Sequence, residues 1–269
     1  MSTWVESQPG GRLQAWHAIV AIALTLVGFV ATRITVLPVF VIEMSEVLSL
    51  VASVGLGNVG YLVVGLVFLY ATGRGIAYLD VDTPSEWKLI AGVTTGILAL
   101  RFAIVVPSWI LFPGFVPAAP AGLEAAYEKG TIIAVMIPMS LFVVAPAEEF
   151  LYRGVIQKYL REVFTPNAAI AGSGLLYALV HWFTLGNPTT LDAAITMGGF
   201  VIVGLSFCWL YERTGTILAP IVAHGVYNSV IALSTIVLYH PIVYPEERAE
   251  VFVAPVVSQI INWAPALPL

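Results

Sequence analysis

Two adjacent glutamates and an arginine close a strongly apolar run, TIIAVMIPMSLFVVAPAEEFLYRG (131–154). Further along the chain, His181 ends YALVH (177–181), and His224 and Asn228 bracket HGVYN (224–228). At about 100° per residue on a helix, Glu149 and Arg153 share a face and can pair, whereas Glu148 points about 100° away and has no partner on its own helix. One glutamate is then neutralised by Arg153, and the other stays available for chemistry. His181 shares a face with Tyr177, and His224 with Asn228, so each histidine has a hydrogen-bonding side chain one turn away.

A carboxylate and a histidine converging on one water make a general base, and a second histidine with a carboxamide can donate hydrogen bonds to a developing oxyanion. That is a kit for amide hydrolysis. The set Glu148, His181 and His224 also has the ligand types of a catalytic Zn2+ site that keeps one position for water. No GxSxG elbow, HExxH helix or Walker loop offers another enzyme class. Arg101, alone in the third apolar block, reads as a structural or snorkelling cation, or as a partner for a carboxylate of the site.

These residues need elements that carry them into a bilayer. Of the 269 residues, 59% are hydrophobic and 10% charged, against roughly 25% charged in soluble domains. The apolar blocks have spanning length, and no period-two alternation suggests a barrel. The expected fold is therefore all-α, a polytopic membrane bundle of seven or eight helices over 14–36, 47–72, 88–112, 131–161, 167–185, 191–211 and 216–239, with 251–264 as an eighth. The first block reads as a retained span rather than a cleaved signal. The stretches 72–88 and 113–130, with their Gly, Pro and acidic residues, read as loops. The whole chain, 1–269, reads as one transmembrane domain, with 131–240 carrying the catalytic-motif core.

With a cytoplasmic N-terminus, Arg12, Arg74, Lys88, Lys158, Arg161 and Arg213 lie on the inner side, and Arg33, Lys129 and Arg248 on the other, as the positive-inside rule requires. Counted at about 1.5 Å per residue, Glu148, His181 and His224 can meet in the cytoplasmic half of the membrane. Pro146 is expected to kink the helix beside Glu148. A net charge of -5 without a basic cluster speaks against nucleic acid. The single cysteine, Cys208, rules out an internal disulfide and a multi-cysteine metal site.

In order and spacing, EEFLYR (148–153), YALVH and HGVYN resemble the EExxxR, FxxxH and HxxxN motifs of the CAAX protease and bacteriocin-processing (Abi) family, the type II CAAX prenyl endopeptidases. The resemblance covers roughly 131–240. It implies that Glu148 activates a water with His181, that His224 and Asn228 form the oxyanion hole, and that Glu149 and Arg153 brace the helix. Tyr177 departs from the family's phenylalanine. The implied activity is intramembrane endopeptidase cleavage, either metallo- or glutamate-dependent, of prenylated CAAX-type proteins, releasing the C-terminal tripeptide, or of a related membrane peptide.

The expected location is a prokaryotic cell membrane, as a multi-pass protein, with the bilayer and a membrane-associated peptide as partners. Two rivals stand beside this reading. A bacteriocin-immunity or binding protein could keep the fold without catalysis. An ion-coupled transporter could use buried Glu and His as relays, but it would carry broken helices in both halves.

Overall fold

A computed structural model of the protein describes residues 10–111, 130–185 and 190–234. Among the described residues there are seven long helices, two short 3-10 turns (Leu37–Phe40 and Ile76–Tyr78) and no β-strand; the long helices are α1 (Gly11–Val36), α2 (Glu46–Ala71), α3 (Trp87–Leu111), α4 (130–161), α5 (Pro166–Trp182), α6 (Thr190–Thr214) and α7 (Leu218–Ser234). Five stretches are long and apolar enough to cross a membrane: Gly11–Phe40, Val47–Ala71, Trp87–Ser108, Val135–Arg161 and Thr190–Thr214. The all-α membrane bundle is thus the observed fold, and the chain is an integral membrane protein. At 17 residues each, α5 and α7 reach only about 25 Å, close to a hydrocarbon core of about 30 Å. The expected eighth helix at 251–264, the far end of the seventh span and the 113–129 loop fall outside the described residues.

Local signals account for several boundaries. Ser45 Oγ accepts from Leu48 N at 3.4 Å to open α2, and Thr165 Oγ1 accepts from Ala168 N at 3.4 Å, with Pro166 at the first helical position, to open α5. Gly215, at φ 65°, ends α6 in a left-handed turn that a side chain would strain.

The longest helix, α4, is the centre of the bundle, and every residue from Phe150 to Gln157 is buried. It stays helical through Pro138 and Pro146, but changes winding: Ser140–Val144 and Phe150–Gln157 are π-helical around an α-helical Ala145–Glu149. A proline cannot donate to the preceding turn and crowds its carbonyl, and a wider turn just upstream relieves that crowding. The expected kink at Pro146 is therefore realised as π-turns that flank Glu148 and Glu149. With more than 3.6 residues per turn, residues four apart come closer to one line, which favours the pairing of Glu149 with Arg153.

At one end of the bundle, charged groups form a latch between α2, the 72–86 connection, α4 and α6. Arg74 grips Glu162 with two bonds of 3.0 and 2.7 Å, and Tyr78 donates to the same carboxylate at 2.9 Å. Lys158 and Tyr211 hold Asp80 at 2.7 and 2.6 Å, and the Asp80 carbonyl accepts from Ile217 N at 2.8 Å. Arg161 meets Glu212 at 3.1 Å. Partial burial pushes Asp80 and Glu162 upward, but the bonds from Lys158 and Tyr211, and from Arg74 and Tyr78, outweigh it and hold both carboxyls below their ordinary values. The latch is complete at neutral pH and lost as pH falls through those lowered values. Arg74, Lys158 and Arg161, all assigned to one membrane face by the charge count, meet in this layer.

Two close approaches set helix spacing near the motifs. A Cβ on Gly204 would lie 2.6 Å from the Gly174 carbonyl and 3.0 Å from Tyr177 Cδ1, so α5 and α6 touch backbone to backbone. Gly60 brings α2 equally close to Thr32 on α1. Gly204→Val must therefore push α5 from α6, and it is expected to destabilise by about 1–3 kcal/mol. Gly198→Ala, on the same helix with open space at its Cβ, should be neutral or mildly stabilising. Thermal unfolding of both variants in detergent, beside the parent, checks this.

Candidate active site

Four helices bring the motif residues together. Glu148 and Glu149 lie on the α-helical turn of α4, Arg153 one π-turn later, Tyr177 and His181 at the end of α5, and His224 and Asn228 on α7.

The expected Glu149–Arg153 pair is present, at 3.0 Å between Arg153 Nη1 and Glu149 Oε1 with both side chains fully buried. Arg153 does more than brace one helix. Its Nη2 donates to the Gly204 carbonyl on α6 at 3.0 Å, and its guanidinium lies 4.7 Å from the Tyr177 ring centroid and 5.6 Å from that of Phe207. Glu149 Oε1 also takes a bond from His224 Nδ1 at 2.7 Å. That bond ties α4 to α7, and the spacing of the motifs does not imply it.

Glu148 is left without such ties. Its side chain is 12% exposed, and Oε2 is buried with no hydrogen-bond partner among the described residues. The nearest cationic or imidazole atom to it is His224 Nε2, at 3.9 Å. An unpaired buried carboxylate oxygen is costly, and Glu149 Oε2 is in the same state.

His181 differs in detail from expectation. Its Nδ1 bonds the Tyr177 backbone carbonyl at 2.7 Å rather than the Tyr177 hydroxyl. The Tyr177 contribution is its ring, 4.5 Å from the His181 ring and edge-on to His224 at 6.2 Å. Phe200 stacks on His181 at 4.2 Å and Phe207 on His224 at 5.1 Å, so α6 supplies an aromatic wall behind both imidazoles. His181 lies within electrostatic range of both Glu148 and His224. Asn228 is half-buried one turn beyond His224 and makes no hydrogen bond among the described residues. Arg101 does not join this cluster: it pairs with neither glutamate.

The bonding pattern sets protonation roles. Beside Arg153, Glu149 is the acceptor, so the Nδ1 of His224 carries a hydrogen. Its Nε2, turned toward Glu148, is a lone pair in the neutral ring and a donor in the imidazolium. The carbonyl of Tyr177 likewise places a hydrogen on His181 Nδ1 and leaves Nε2 as an acceptor.

The described residues include no group of three His, Cys, Asp or Glu side chains placed to hold a metal ion. The geometry thus does not fit the Zn2+ set of Glu148, His181 and His224, and no step is routed through a metal. Sequence reasoning also missed Gln157, which is buried and donates to the Cys208 carbonyl at 2.9 Å and to Glu212 at 3.1 Å, and Ser173, which donates to the Tyr152 carbonyl at 2.8 Å. Both are polar residues in apolar helices, which was the available signal. Cys208 packs as a buried free thiol.

The fold and this cluster define a polytopic membrane protein with a glutamate–histidine centre inside its helical bundle. Residues 130–230, which carry all three motifs, α4 to α6 and most of α7, match the family model of Type II CAAX prenyl endopeptidases, Rce1-like, and the match falls on the segment that the motifs single out. No curated protein and no solved structure matches the chain.

Removing the carboxylate that holds Arg153 and His224 isolates a buried cation. Glu149→Gln is expected to destabilise by about 3–5 kcal/mol, and adding Arg153→Met should recover much of that loss while leaving His224 without its acceptor. Thermal unfolding of the two singles and the double, in one detergent, tests the pair.

Proposed function

We propose that the protein is an intramembrane endopeptidase that hydrolyses a peptide bond with a water activated by Glu148 and His181. Its substrate is a prenylated CAAX-type tail, from which the C-terminal tripeptide is released, or a related membrane-associated peptide. The observation that carries this reading is the contrast between the two adjacent glutamates: Glu149 Oε1 is bonded to Arg153 and His224, while Glu148 accepts no hydrogen bond among the described residues and holds its buried Oε2 3.9 Å from His224 Nε2.

In this mechanism Glu148, assisted by His181 Nε2, takes a proton from water as the water oxygen attacks the scissile carbonyl carbon. The electron pair of the C=O bond moves onto oxygen. His224, held through Nδ1 by Glu149, donates from Nε2 in its imidazolium form, and Asn228 donates from its carboxamide, to that oxyanion. Collapse of the tetrahedral intermediate breaks the C–N bond, and the proton held by Glu148 and His181 passes to the leaving amine. The base is the carboxylate itself, so the activity is glutamate-dependent. The family match over 130–230 supports the protease class, and the apolar helices around the centre suit a substrate that arrives through lipid.

The decisive assay is cleavage of a fluorogenic farnesylated CAAX peptide by the purified protein in detergent, with metal content and chelator sensitivity measured on the same sample. Glu148→Ala and His224→Ala should each lower kcat/KM by at least about 100-fold, the scale on which general-base and oxyanion groups act. Tyr177→Phe, which keeps the ring packed on His181, should retain most activity, and chelation should leave cleavage intact. Full activity in Glu148→Ala would sink the mechanism.

A further inference from the structure

Two buried tyrosines beside the centre have no part in the mechanism above. Tyr152 lies four residues after Glu148 on α4, the spacing that also joins Glu149 to Arg153, so Glu148 and Tyr152 share one face of the helix a turn apart. The Tyr152 side chain is fully buried. Its ring meets Tyr177 edge-on at 5.2 Å, and the Tyr177 ring lies 4.5 Å from that of His181. The Tyr152 hydroxyl has no hydrogen-bond partner among the described residues, and neither has Glu148 Oε2.

The second tyrosine comes from α2, outside the segment that the family match covers. Tyr61 is buried, and its ring packs edge-on against Tyr152 at 6.0 Å. Helix α1 touches the same ring: a Cβ on Gly28 would stand 3.3 Å from Tyr61 Cδ1 and 2.8 Å from Leu151 Cδ2. One turn further along α2, a Cβ on Gly65 would overlap the Phe150 ring, so α2 lies against α4 just past the two glutamates. Tyr61 and Tyr152 are both within electrostatic range of Glu148 and within polar reach of each other, though outside hydrogen-bond geometry.

A hydroxyl and a carboxylate oxygen buried on one helix face, each without a protein partner, are costly. Such groups are satisfied by an ordered water, which makes about three hydrogen bonds. Glu148 Oε2, the Tyr152 hydroxyl and the Tyr61 hydroxyl supply that number. Glu149 Oε2 is also unpartnered, but its carboxylate is already fixed through Oε1 by Arg153 and His224. Glu148 has no such tie.

We propose that Tyr152 and Tyr61 hold an ordered water against Glu148 Oε2 and are thereby positioning residues for the base. Tyr152 donates to that water, and the water donates to Oε2 and to the Tyr61 oxygen. Oε1 of Glu148 is then left to take the proton from the separate water that attacks the scissile carbonyl. The consequence for turnover rests on the hydrolase reading, whereas the contact itself belongs to the protein without substrate.

The contact is read first without turnover, by thermal unfolding in one detergent of Tyr152→Phe, Glu148→Ala and the double variant. Tyr152→Phe keeps the ring, and it should lower Tm by a few degrees in the parent but hardly at all in Glu148→Ala. Tyr61→Phe should show the same dependence on Glu148, and it carries the cycle if Tyr152→Phe does not fold. In the cleavage assay Tyr152→Phe should lower kcat roughly tenfold or more, since a small displacement of a reacting group costs up to about 100-fold, with KM nearly unchanged. Tyr159→Phe, at a buried tyrosine stacked on His17, should leave both constants as they are.

Additive Tm shifts for Tyr152→Phe and Glu148→Ala would overturn the contact. So would a Tyr152→Phe protein more stable than the parent, the result for a hydroxyl buried without any bond. An unchanged kcat in Tyr152→Phe beside an active parent would overturn the positioning role. A parent that cleaves nothing while the Tm shifts remain coupled would count against the hydrolase reading and support the contact, so the two failures are distinguishable.

Discussion

A carboxylate and a guanidinium buried together in a membrane bundle must neutralise each other and find further bonds, because each would carry a large desolvation cost alone. Glu149 and Arg153 meet that constraint by reaching beyond their own helix. Arg153 uses its second terminal nitrogen on the Gly204 carbonyl and its flat faces on Tyr177 and Phe207, while the oxygen of Glu149 that holds Arg153 also holds His224. One ion pair on α4 thereby sets the positions of α5, α6 and α7. The backbone contact at Gly174 and Gly204 follows from it, since Arg153 reaches the α6 carbonyl only if those helices lie close to each other and to α4.

The same constraint separates the roles of two chemically identical neighbours. Glu149 is held by cation and imidazole through one oxygen, Oε1, whereas Glu148, one residue earlier, faces away from Arg153 and accepts no hydrogen bond among the described residues. The π-helical winding after Phe150 contributes, because it brings residues 149 and 153 into line and commits that side of the helix to the ion pair. Aromatic rings from α5 and α6 then enclose both histidines, so their free nitrogens sit in a low-dielectric wall where each hydrogen bond counts more than in water.

Polarity elsewhere in the bundle is distributed by function. The latch of Arg74, Glu162, Asp80, Lys158, Arg161 and Glu212 at one end holds helix ends together with partly exposed pairs, which are individually weak and act as a network. Arg101, by contrast, lines a small recess between α3, α6 and α7 that includes none of the motif residues.

Much of this was legible in the sequence. Hydropathy and block length determine a helical membrane bundle, because an apolar run of spanning length can satisfy its backbone in lipid only as a helix. Four-residue spacing determines the Glu149–Arg153 pair, because it is a local contact within one helix. The three motifs mark the segment that the family match covers. Contacts between helices carry no such local signal. The His224–Glu149 bond joins residues 75 apart in the chain, and the Arg153 contact with Gly204 spans 51. The carbonyl partner of His181, the aromatic wall of Phe200 and Phe207 and the π-turns of α4 likewise depend on which faces the helices turn toward each other. Only tertiary packing decides those orientations, since every helix here is apolar on most sides and its sequence period alone does not choose a facing neighbour.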